Sequence, residues 1–431
     1  MKSIAKLRGI ISILAVVALA QVPGLAQPLA FPIAEAPFPA QVAGIDGQWN
    51  ISLKSAGKIR VLRADDLAYW GAYRDVEAGP QLILTDGSVV RSDLLLLNDK
   101  QLVIGDATGL GRGLWDESTL PRSALRAIVW QPPAAAAERD RLLATLVREN
   151  GNSDRLTLLG GETLSGLLTA APPAGRFAPE EIKPGSEFFE FARPGQAEPL
   201  RIPSARVVAI RLAQPVQPAA VSGMSAWLGL ADGSFMKVRK ITVQGDVVTL
   251  ALAAGGQLTT TLTGRKDASR KFWDEITCLE PAAAGLAWLS DLPGLGYRHI
   301  PFLSVQRPLG LDSCVLGSRL RAGGAVHRKG LGMPTASRIA VRAAGYRRFE
   351  AQIALDEAAG TEGSAIFKVL LETAPGEWRT AYESPPVRGG ELPRQVAVEL
   401  AGASRIALVV DFAERGDVCD WADWLEARLV K

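Results

Sequence analysis

The chain has 431 residues, and 48% of them are hydrophobic, which is enough for several packed cores and excludes a disordered chain. Its 48 Lys and Arg residues nearly balance 45 Asp and Glu residues, leaving a formal net charge of +3. Beyond the first residues there is no dense basic run. We therefore expect no nucleic-acid partner and no polybasic membrane-binding surface.

The first 26 residues have the pattern of a signal peptide. Lys2, Lys6 and Arg8 precede an apolar stretch from Gly9 to Ala20, and small residues follow up to Ala26. About 12 apolar residues form a helix of about 18 Å, shorter than the roughly 30 Å hydrocarbon core of a membrane. We expect cleavage, no transmembrane span afterwards, and an exported protein of the periplasm, cell envelope or exterior. The alternative is an uncleaved membrane anchor.

A weak internal repeat follows a Pro- and Ala-rich leader at residues 27–44. The pattern Leu-x-Leu-x-Asp-Gly, or Gly-Gly in the second copy, starts at Leu82, Leu156 and Leu228. Each copy predicts a strand that enters a tight turn, where glycine supplies a positive φ. We expect tandem small β-units similar to Sm-like or SH3-like barrels; the alternative is one larger β-domain with similar hairpins. The predicted units are residues 45–133, 152–217 and 218–283.

Residues 134–151 predict the one helix, because they are rich in good helix formers. Leu142, Leu143, Leu146 and Val147 place apolar groups on one face. The segment lies between the first two units. We therefore expect a connecting helix whose charged residues form an ordinary solvated face.

Residues 284–431 predict a second kind of β-structure. Apolar residues alternate with other residues along Phe349 to Leu355 and along Ile406 to Val410. Gly and Pro clusters separate such runs, and no helical period lies between them. Several short strands bury one face most readily as a sandwich or jelly roll. The whole chain is therefore predicted to be mainly β.

Five motifs occur in order in this last segment. They are Lys329-Gly330-Leu331-Gly332, Ser337-Arg338-Ile339, Gly345-Tyr346-Arg347-Arg348-Phe349, Ile353-Ala354-Leu355-Asp356 followed by Gly363 to Phe367, and Asp420-Trp421-Ala422-Asp423-Trp424. In this order they resemble the NPCBM/NEW2 domain, a family of carbohydrate-binding modules. The resemblance implies a galactose-binding-like β-sandwich that recognises glycans without being an enzyme. It gives Gly330, Gly332, Asp356 and Trp424 structural roles.

The chain departs from the family pattern at two positions. The family has a histidine after its Gly-Leu-Gly-x, where this chain has Pro334. It has another histidine inside its last motif, where this chain has Trp421. If those histidines contact sugar in relatives, this chain has an altered site or has lost it.

The last motif supplies the chemistry that sugars require. Aromatic faces pack under the C–H-rich side of a sugar ring, and planar polar groups hydrogen-bond its hydroxyls. We expect Trp421 to be the stacking platform, with Asp420 and Asp423 beside it and Trp424 in the core; the alternative for Trp421 is simple packing. His327 and Lys329 precede the Gly-Leu-Gly turn and are predicted to reach the same end of the sandwich.

The resemblance also suggests two structural features. Asp356 and Asp420 are candidates for a structural calcium site, because Ca²⁺ takes hard oxygen ligands. No other cofactor is expected. Cys314 and Cys419 lie near the first and last strands of the sandwich, which often neighbour each other in such sandwiches, so the two are candidates for a disulfide; two independent buried thiols are the alternative. Cys278 has no predicted partner.

The sequence carries no local catalytic motif. There are two histidines, His299 and His327, and both fall in the last segment. Gly-x-Ser-x-Gly, a P-loop lysine motif and a His/Cys zinc cluster are all absent. The sequence therefore predicts a non-catalytic protein that binds a glycan or cell-envelope polysaccharide. The alternatives are an envelope scaffold with a protein partner, or a glycan-processing enzyme that uses two carboxylates in the repeats.

Overall fold

The computed structural model describes residues 27–106, 113–171, 188–213, 223–264, 269–302 and 304–431. The predicted signal peptide, residues 1–26, lies outside the described residues. The described chain is mainly β, as predicted: tandem small β-barrel-like units and one connecting helix precede a C-terminal β-sandwich. Within these ranges, no helix is long and apolar enough to cross a membrane.

The chain begins with strands where a free leader was expected. These elements are β1 (Leu29–Pro32), β2 (Phe38–Pro39), β3 (Gln41–Ile45), β4 (Asn50–Ser55), β5 (Lys58–Arg63), a 3-10 turn (Ala64–Asp66) and β6 (Leu67–Gly71). Strand β1 pairs with β6, and Ala30 and Phe31 are buried. The prediction of an extended linker was therefore wrong here, because burial of these apolar side chains holds β1 in a sheet.

Residues 81–129 form the repeating part of the first predicted unit and contain six strands. They are β7 (Gln81–Leu84), β8 (Val89–Arg91), β9 (Asp93–Leu97), β10 (Gln101–Gly105), β11 (Ser118–Pro121) and, after a 3-10 turn (Arg122–Ala124), β12 (Leu125–Val129). Strand β12 pairs with β7, so the last strand of the unit returns to the first. This pairing curls the unit into a barrel-like shape.

The other two units repeat this order. The second has β13 (Asp154–Leu158), β14 (Thr163–Ala170), β15 (Phe188–Ala192), β16 (Leu200–Pro203), a 3-10 turn (Ser204–Arg206) and β17 (Val207–Arg211). The third has β18 (Ala226–Leu230), β19 (Phe235–Gln244), β20 (Val247–Leu252), β21 (Gln257–Thr261), a 3-10 turn (Phe272–Glu275) and β22 (Ile276–Pro281). Their last strands also pair with their first, β17 with β13 and β22 with β18.

The repeated sequence pattern forms the hairpin turns that it predicted. In the first and third units an aspartate carboxylate accepts the backbone N–H two residues later: Ser88 donates to Asp86 at 2.9 Å and Ser234 to Asp232 at 2.8 Å. The glycine between them has a positive φ, 87° at Gly87. Such a turn favours Asp followed by Gly, because Asp bonds locally and Gly tolerates this backbone conformation.

The same two serines join the first unit to the third. Ser88 Oγ accepts the N–H of Lys237 at 2.9 Å, and Ser234 Oγ accepts the N–H of Arg91 at 3.0 Å. Strand pairs β12–β17 and β6–β22 join the remaining units into one continuous sheet. The division of residues 45–283 into three domains stays a prediction.

The predicted connecting helix is α1 (Ala136–Arg148). Leu146 is buried, and Leu142 and Leu143 pack against the same cluster over β7 and β12. Most of its charged residues are exposed, as the sequence suggested, but one of them is buried. Asp140 is only 2% exposed, because the C-terminal sandwich packs against this side of the helix.

The C-terminal sandwich consists of two six-stranded antiparallel sheets. Sheet 1 has β23 (Leu286–Trp288), β25 (Gly310–Leu311), β28 (Gly330–Pro334), β30 (Arg348–Leu355), β34 (Arg394–Glu399) and β36 (Trp421–Val430). Sheet 2 has β24 (Tyr297–His299), β29 (Ser337–Arg342), β31 (Ser364–Ala374), β32 (Glu377–Glu383), β33 (Val387–Arg388) and β35 (Arg405–Phe412). Beside them lie a hairpin, β26 (Leu320–Ala322) and β27 (Ala325–His327), and 3-10 turns Leu289–Asp291 and Glu357–Ala359.

The core of the sandwich surrounds Trp424 on the central strand β36. Its ring makes edge contacts with Phe349, at 5.9 Å between ring centres, and with Phe367 from sheet 2, at 5.1 Å. All three side chains are fully buried. The alternation of apolar residues along the strands therefore places an aromatic core between the two sheets.

The outer face of sheet 1 is covered by the N-terminal region. Arg428 projects from β36 over Tyr69, with its guanidinium carbon 5.0 Å from the ring centre. Gln352 donates to the Tyr69 hydroxyl at 2.8 Å, and the N–H of Val326 donates to the Tyr73 carbonyl at 2.8 Å. Burial along nearly all of β36 follows from this contact.

A buried group of charges holds this contact together, and we call it the junction cluster: Asp75, Arg139, Asp140, Arg319 and Arg321. Arg321 donates to Asp75 at 2.8 and 2.9 Å and to Asp140 at 2.8 and 2.9 Å. Arg319 contacts the same two carboxylates. Burial opposes ionisation of Asp75, but hydrogen bonds from Arg321 and the charge of Arg319 outweigh it and lower the pKa.

Asp140→Ala should destabilise the chain, because Arg321 would keep a buried charge with one carboxylate fewer. Loss of one partner from a buried ion pair costs about 3–5 kcal/mol. We expect a fall of about 3 kcal/mol in the free energy of unfolding, measured by urea denaturation. Glu362→Ala is the control, since its pair with Arg415 is exposed and should contribute less than about 1 kcal/mol. If both variants lower the free energy of unfolding by the same small amount, the junction cluster does not stabilise the docked chain.

Candidate functional site

The best candidate site lies at one end of the sandwich, which we call the loop end: His299, Phe302, Thr335, Asp420 and Trp421. Strand β28 ends and β36 begins here, with Pro334 paired to Trp421. Strand β24 ends nearby, because the N–H of Ile300 donates to the Ala336 carbonyl at 2.9 Å. The structure thus brings together on adjacent strands the two positions that depart from the family pattern.

The loop end has exposed aromatic surface. Phe302 is 62% exposed, and its ring makes an edge contact with Phe412 at 6.0 Å. Trp421 is partly exposed and packs its remaining surface against the sandwich core. Two ring systems are therefore available to a ligand at this end. Sequence reasoning missed Phe302, because a single aromatic residue in a loop forms no pattern.

Asp420 supplies a buried carboxyl group beside these rings. Its Oδ1 accepts the N–H of Ser364 at 2.7 Å, whereas its Oδ2 is buried without a hydrogen-bond partner. Burial raises the pKa of Asp420 to about 6, while the Ser364 N–H opposes the rise. His299 accepts the N–H of Arg307 through Nδ1 at 3.1 Å, and burial lowers the pKa of its imidazole. Near neutral pH the loop end thus has an uncharged imidazole and an ionised carboxylate.

Two of the predicted sugar ligands lie elsewhere. His327 contacts Glu426, six residues beyond Asp420 and so about 20 Å along the strand. Lys329 is buried and pairs with Asp291 at 2.5 Å and Asp312 at 2.9 Å. The expectation that His327 and Lys329 reach the same end of the sandwich was therefore wrong. They precede β28, which runs away from them toward the loop end.

Asp423 is closed to any ligand. It is fully buried on the covered face of sheet 1, where its carboxyl group lies beside that of Asp356. Burial raises the pKa of both carboxyls, and the neighbouring charge of Asp356 raises that of Asp423 further. A proton shared between the two is the favourable state, because two buried carboxylates at contact would repel. Asp423 is therefore a structural residue.

The glycines of the Lys-Gly-Leu-Gly motif permit close packing. A Cβ on Gly330 would lie 2.5 Å from the Trp424 carbonyl oxygen, and its φ of 152° also disfavours a side chain. A Cβ on Gly332 would lie 2.5 Å from the Ser313 carbonyl oxygen. Strand β28 can therefore sit between β36 and the turn around Ser313 only with glycine at both positions.

The carboxylates suggested for calcium do not converge. Asp356 accepts the N–H groups of Arg321 and Ala358, whereas Asp420 bonds Ser364. Across the described ranges, no group of three or more His, Cys, Asp or Glu residues is placed to hold a metal. Asp356 and Asp420 therefore do not fit a shared calcium site.

The candidate disulfide does not form. Cys314 and Cys419 are both free, and Cys278 is free as well. Cys314 is buried in a small cluster with Leu320 and Ala354, and its sulfur lies 2.9 Å from Ser318 Oγ. Cys419 instead packs at the edge of the sandwich core. The two thiols lie in different packing clusters, so they are independent of each other, as in the alternative to a disulfide.

Fold and site together define a β-sandwich module with exposed aromatic rings at its loop end. Residues 285–430 match the family model of the NPCBM/NEW2 domain, which confirms the family predicted for this segment. A relative from Renibacterium salmoninarum, provisionally named an endo-alpha-N-acetylgalactosaminidase, is 31% identical over 115 residues. The aligned part is 26% of this chain and 7% of that protein.

The solved structures to which the chain is similar include three that contain CBM51 domains. The CBM51-2 and INT domains of Clostridium perfringens ZmpB are 20% identical, covering 50% of this chain and 38% of that chain, with a TM-score of 0.31. CBM51 of the C. perfringens GH95 protein, solved with methyl-galactose, is 22% identical over 34% of this chain and 99% of that chain (TM-score 0.30). Tandem CBM51 modules of a family 98 glycoside hydrolase of Streptococcus pneumoniae are 12% identical, covering 94% and 99% (TM-score 0.29).

Stability should depend on pH through Asp420. Its pKa is raised from 3.8 to about 6 in the folded protein, so its stabilising contribution is complete below 3.8 and is lost as pH rises through about 6. Asp420→Asn, which cannot ionise, should therefore lose less unfolding free energy than the wild type between about pH 4 and pH 7. Urea unfolding across this range measures the difference.

The control for this experiment is Asp99→Asn, which changes an exposed aspartate and should follow the wild-type pH profile. If Asp420→Asn also follows the wild-type profile, Asp420 is not a buried carboxyl group of raised pKa.

Proposed function

We propose that this protein binds glycans at the loop end of its C-terminal sandwich. The observation that carries the proposal is the exposed ring of Phe302 and the partly exposed ring of Trp421 beside Asp420, in a segment that matches the NPCBM/NEW2 domain. The aromatic faces would pack against the C–H side of a sugar ring, and the carboxylate would accept hydrogen bonds from its hydroxyls.

In this proposal Trp421 replaces the histidine of the family pattern as a larger contact surface. It lies opposite Pro334, which replaces the other histidine. Both changes remove hydrogen-bonding groups and add apolar surface. The site would therefore depend more on ring stacking and less on hydrogen bonds to hydroxyls, which favours a sugar with an extended C–H face, such as a galactose-like ring.

We further propose that the protein is exported and non-catalytic. A glycosidase would need a pair of carboxyl groups. Asp75 and Asp140, from the repeat region and the helix, lie close enough to share the guanidinium of Arg321. They are held in ion pairs, and the pKa of Asp75 is lowered. A general acid requires a raised pKa, so this pair is suited to holding the junction.

A second candidate function is protein binding at the same end. Apolar side chains surround Phe302 there: Ile300 is 57% exposed, Val305 62% and Val418 49%. Clustered exposed apolar groups are typical of protein-interaction surfaces as well as ligand surfaces. An envelope scaffold with a protein partner is therefore the alternative to glycan binding.

A glycan array with the complete chain tests the main proposal. Phe302→Ala and Trp421→Ala should each weaken binding about tenfold, because a ring contact contributes about 1 kcal/mol and a tenfold change is about 1.4 kcal/mol. Trp378→Ala is the matched control, since this tryptophan is 36% exposed on β32, and it should bind as the wild type does.

Two results would contradict the proposal. If the folded protein binds no glycan but the same two variants abolish capture of an envelope protein, the loop end is a protein-binding surface. If glycan binds and neither variant changes the affinity, the site lies elsewhere on the chain.

A further inference from the structure

A cavity lies at the junction between the repeats and the sandwich, and we call it the junction cleft. Its volume is about 430 Å³, within the range of about 300–1,000 Å³ typical of small-molecule sites. One wall comes from helix α1 and strands β7, β8, β18 and β19. The other comes from the segment 311–319 and from β27 of the sandwich. The cleft therefore exists only when both parts of the chain are docked.

The first wall presents a fixed aromatic column. Tyr73 stacks on Phe235 at 4.5 Å between ring centres, and Phe235 stacks on Trp227 at 5.0 Å. The guanidinium of Arg328 lies over the Trp227 ring at 5.4 Å and pairs with Glu280. Phe235 and Trp227 are nevertheless only partly buried. The rings are held in place before a ligand arrives, which lowers the entropic cost of binding.

The opposite wall presents polar groups beside Leu311 and Val326. Asp312, Ser313 and Ser318 line it, and all three are partly exposed. His327 also lines the cleft and is 8% exposed; its Nδ1 contacts Glu426, and its Nε2 is a buried atom with no hydrogen-bond partner. A buried polar atom without a partner is costly, so a ligand hydroxyl that bonds it would be favoured.

The charges around the cleft do not suit a strongly anionic ligand. Arg319 is already bound to two carboxylates and Arg328 to one. Asp312 accepts from Lys329. Among the described lining residues, Arg148 on the exposed end of α1 has no ion-pair partner. A single arginine at the rim provides too little positive charge to bind a phosphate.

We propose that the junction cleft is a second saccharide site, which takes an uncharged sugar unit between the aromatic column and the opposite wall. Its ring would contact the exposed parts of Trp227 and Phe235, and its hydroxyls would bond Asp312, Ser313 and His327 Nε2. It shares the ligand class of the loop-end proposal but none of its residues. Each site can therefore fail without the other.

Filling the cleft in the complete chain tests this proposal. Ala144→Phe places a ring on the helix wall, where Ala144 lines the cavity; Thr145→Phe puts the same ring on the exposed side of the same helix. Binding of methyl galactoside, methyl glucoside and methyl N-acetylglucosaminide is measured by saturation-transfer NMR and by titration. Ala144→Phe in a Phe302→Ala background should weaken the remaining binding about tenfold or more, and Thr145→Phe should not.

The outcomes separate the two sites. If Phe302→Ala alone removes all saccharide binding, the cleft proposal is wrong and the loop-end proposal stands. If Ala144→Phe alone removes it, the cleft is the site and the loop-end proposal is wrong. Binding of none of the three glycosides by the wild type overturns the cleft proposal. Ser313→Phe, on the opposite wall, replaces Ala144→Phe if that variant unfolds, which circular dichroism would show.

Discussion

The docking of the sandwich onto the repeats depends on Arg321 and the two carboxylates that it bridges. A guanidinium and two aspartates out of water are costly unless each finds a partner, and here every one does. The arrangement tolerates few alternatives, because a shift of either part would leave a buried charge unpaired. Buried polar contacts thus specify one orientation of the sandwich on the repeats. The apolar contacts around Tyr69 bury surface area but do not favour one orientation over another.

This docking changes what the sandwich can do. The outer face of sheet 1 would be solvent-exposed in a free module, but here Asp423, Glu426 and Arg428 are buried on it. In the two proposals, ligand binding is left to the loop end and to the cleft that docking creates. The N-terminal repeats would then supply the aromatic wall of that cleft. Both proposed sites would lie on one combined body.

The features predictable from the sequence are those set by neighbours along the chain. The Asp-Gly turns and the helix follow from local preferences, and Trp424 follows from strand alternation. The same reasoning could not place Asp140, because its partner Arg321 lies 181 residues away and helix charges are usually solvated. It also placed His327 with Asp420, since sequence proximity to β28 does not reveal the direction in which that strand runs. Phe302 carried no local signal.

The central claim is that sandwich and repeats form one docked body. Native-state hydrogen exchange of the Val326 amide tests it most directly, because this N–H donates to the Tyr73 carbonyl across the junction. We predict protection of the same order as for amides of β30 within the sandwich. Free exchange at Val326 while β30 stays protected would mean that the junction opens readily, and would contradict the account.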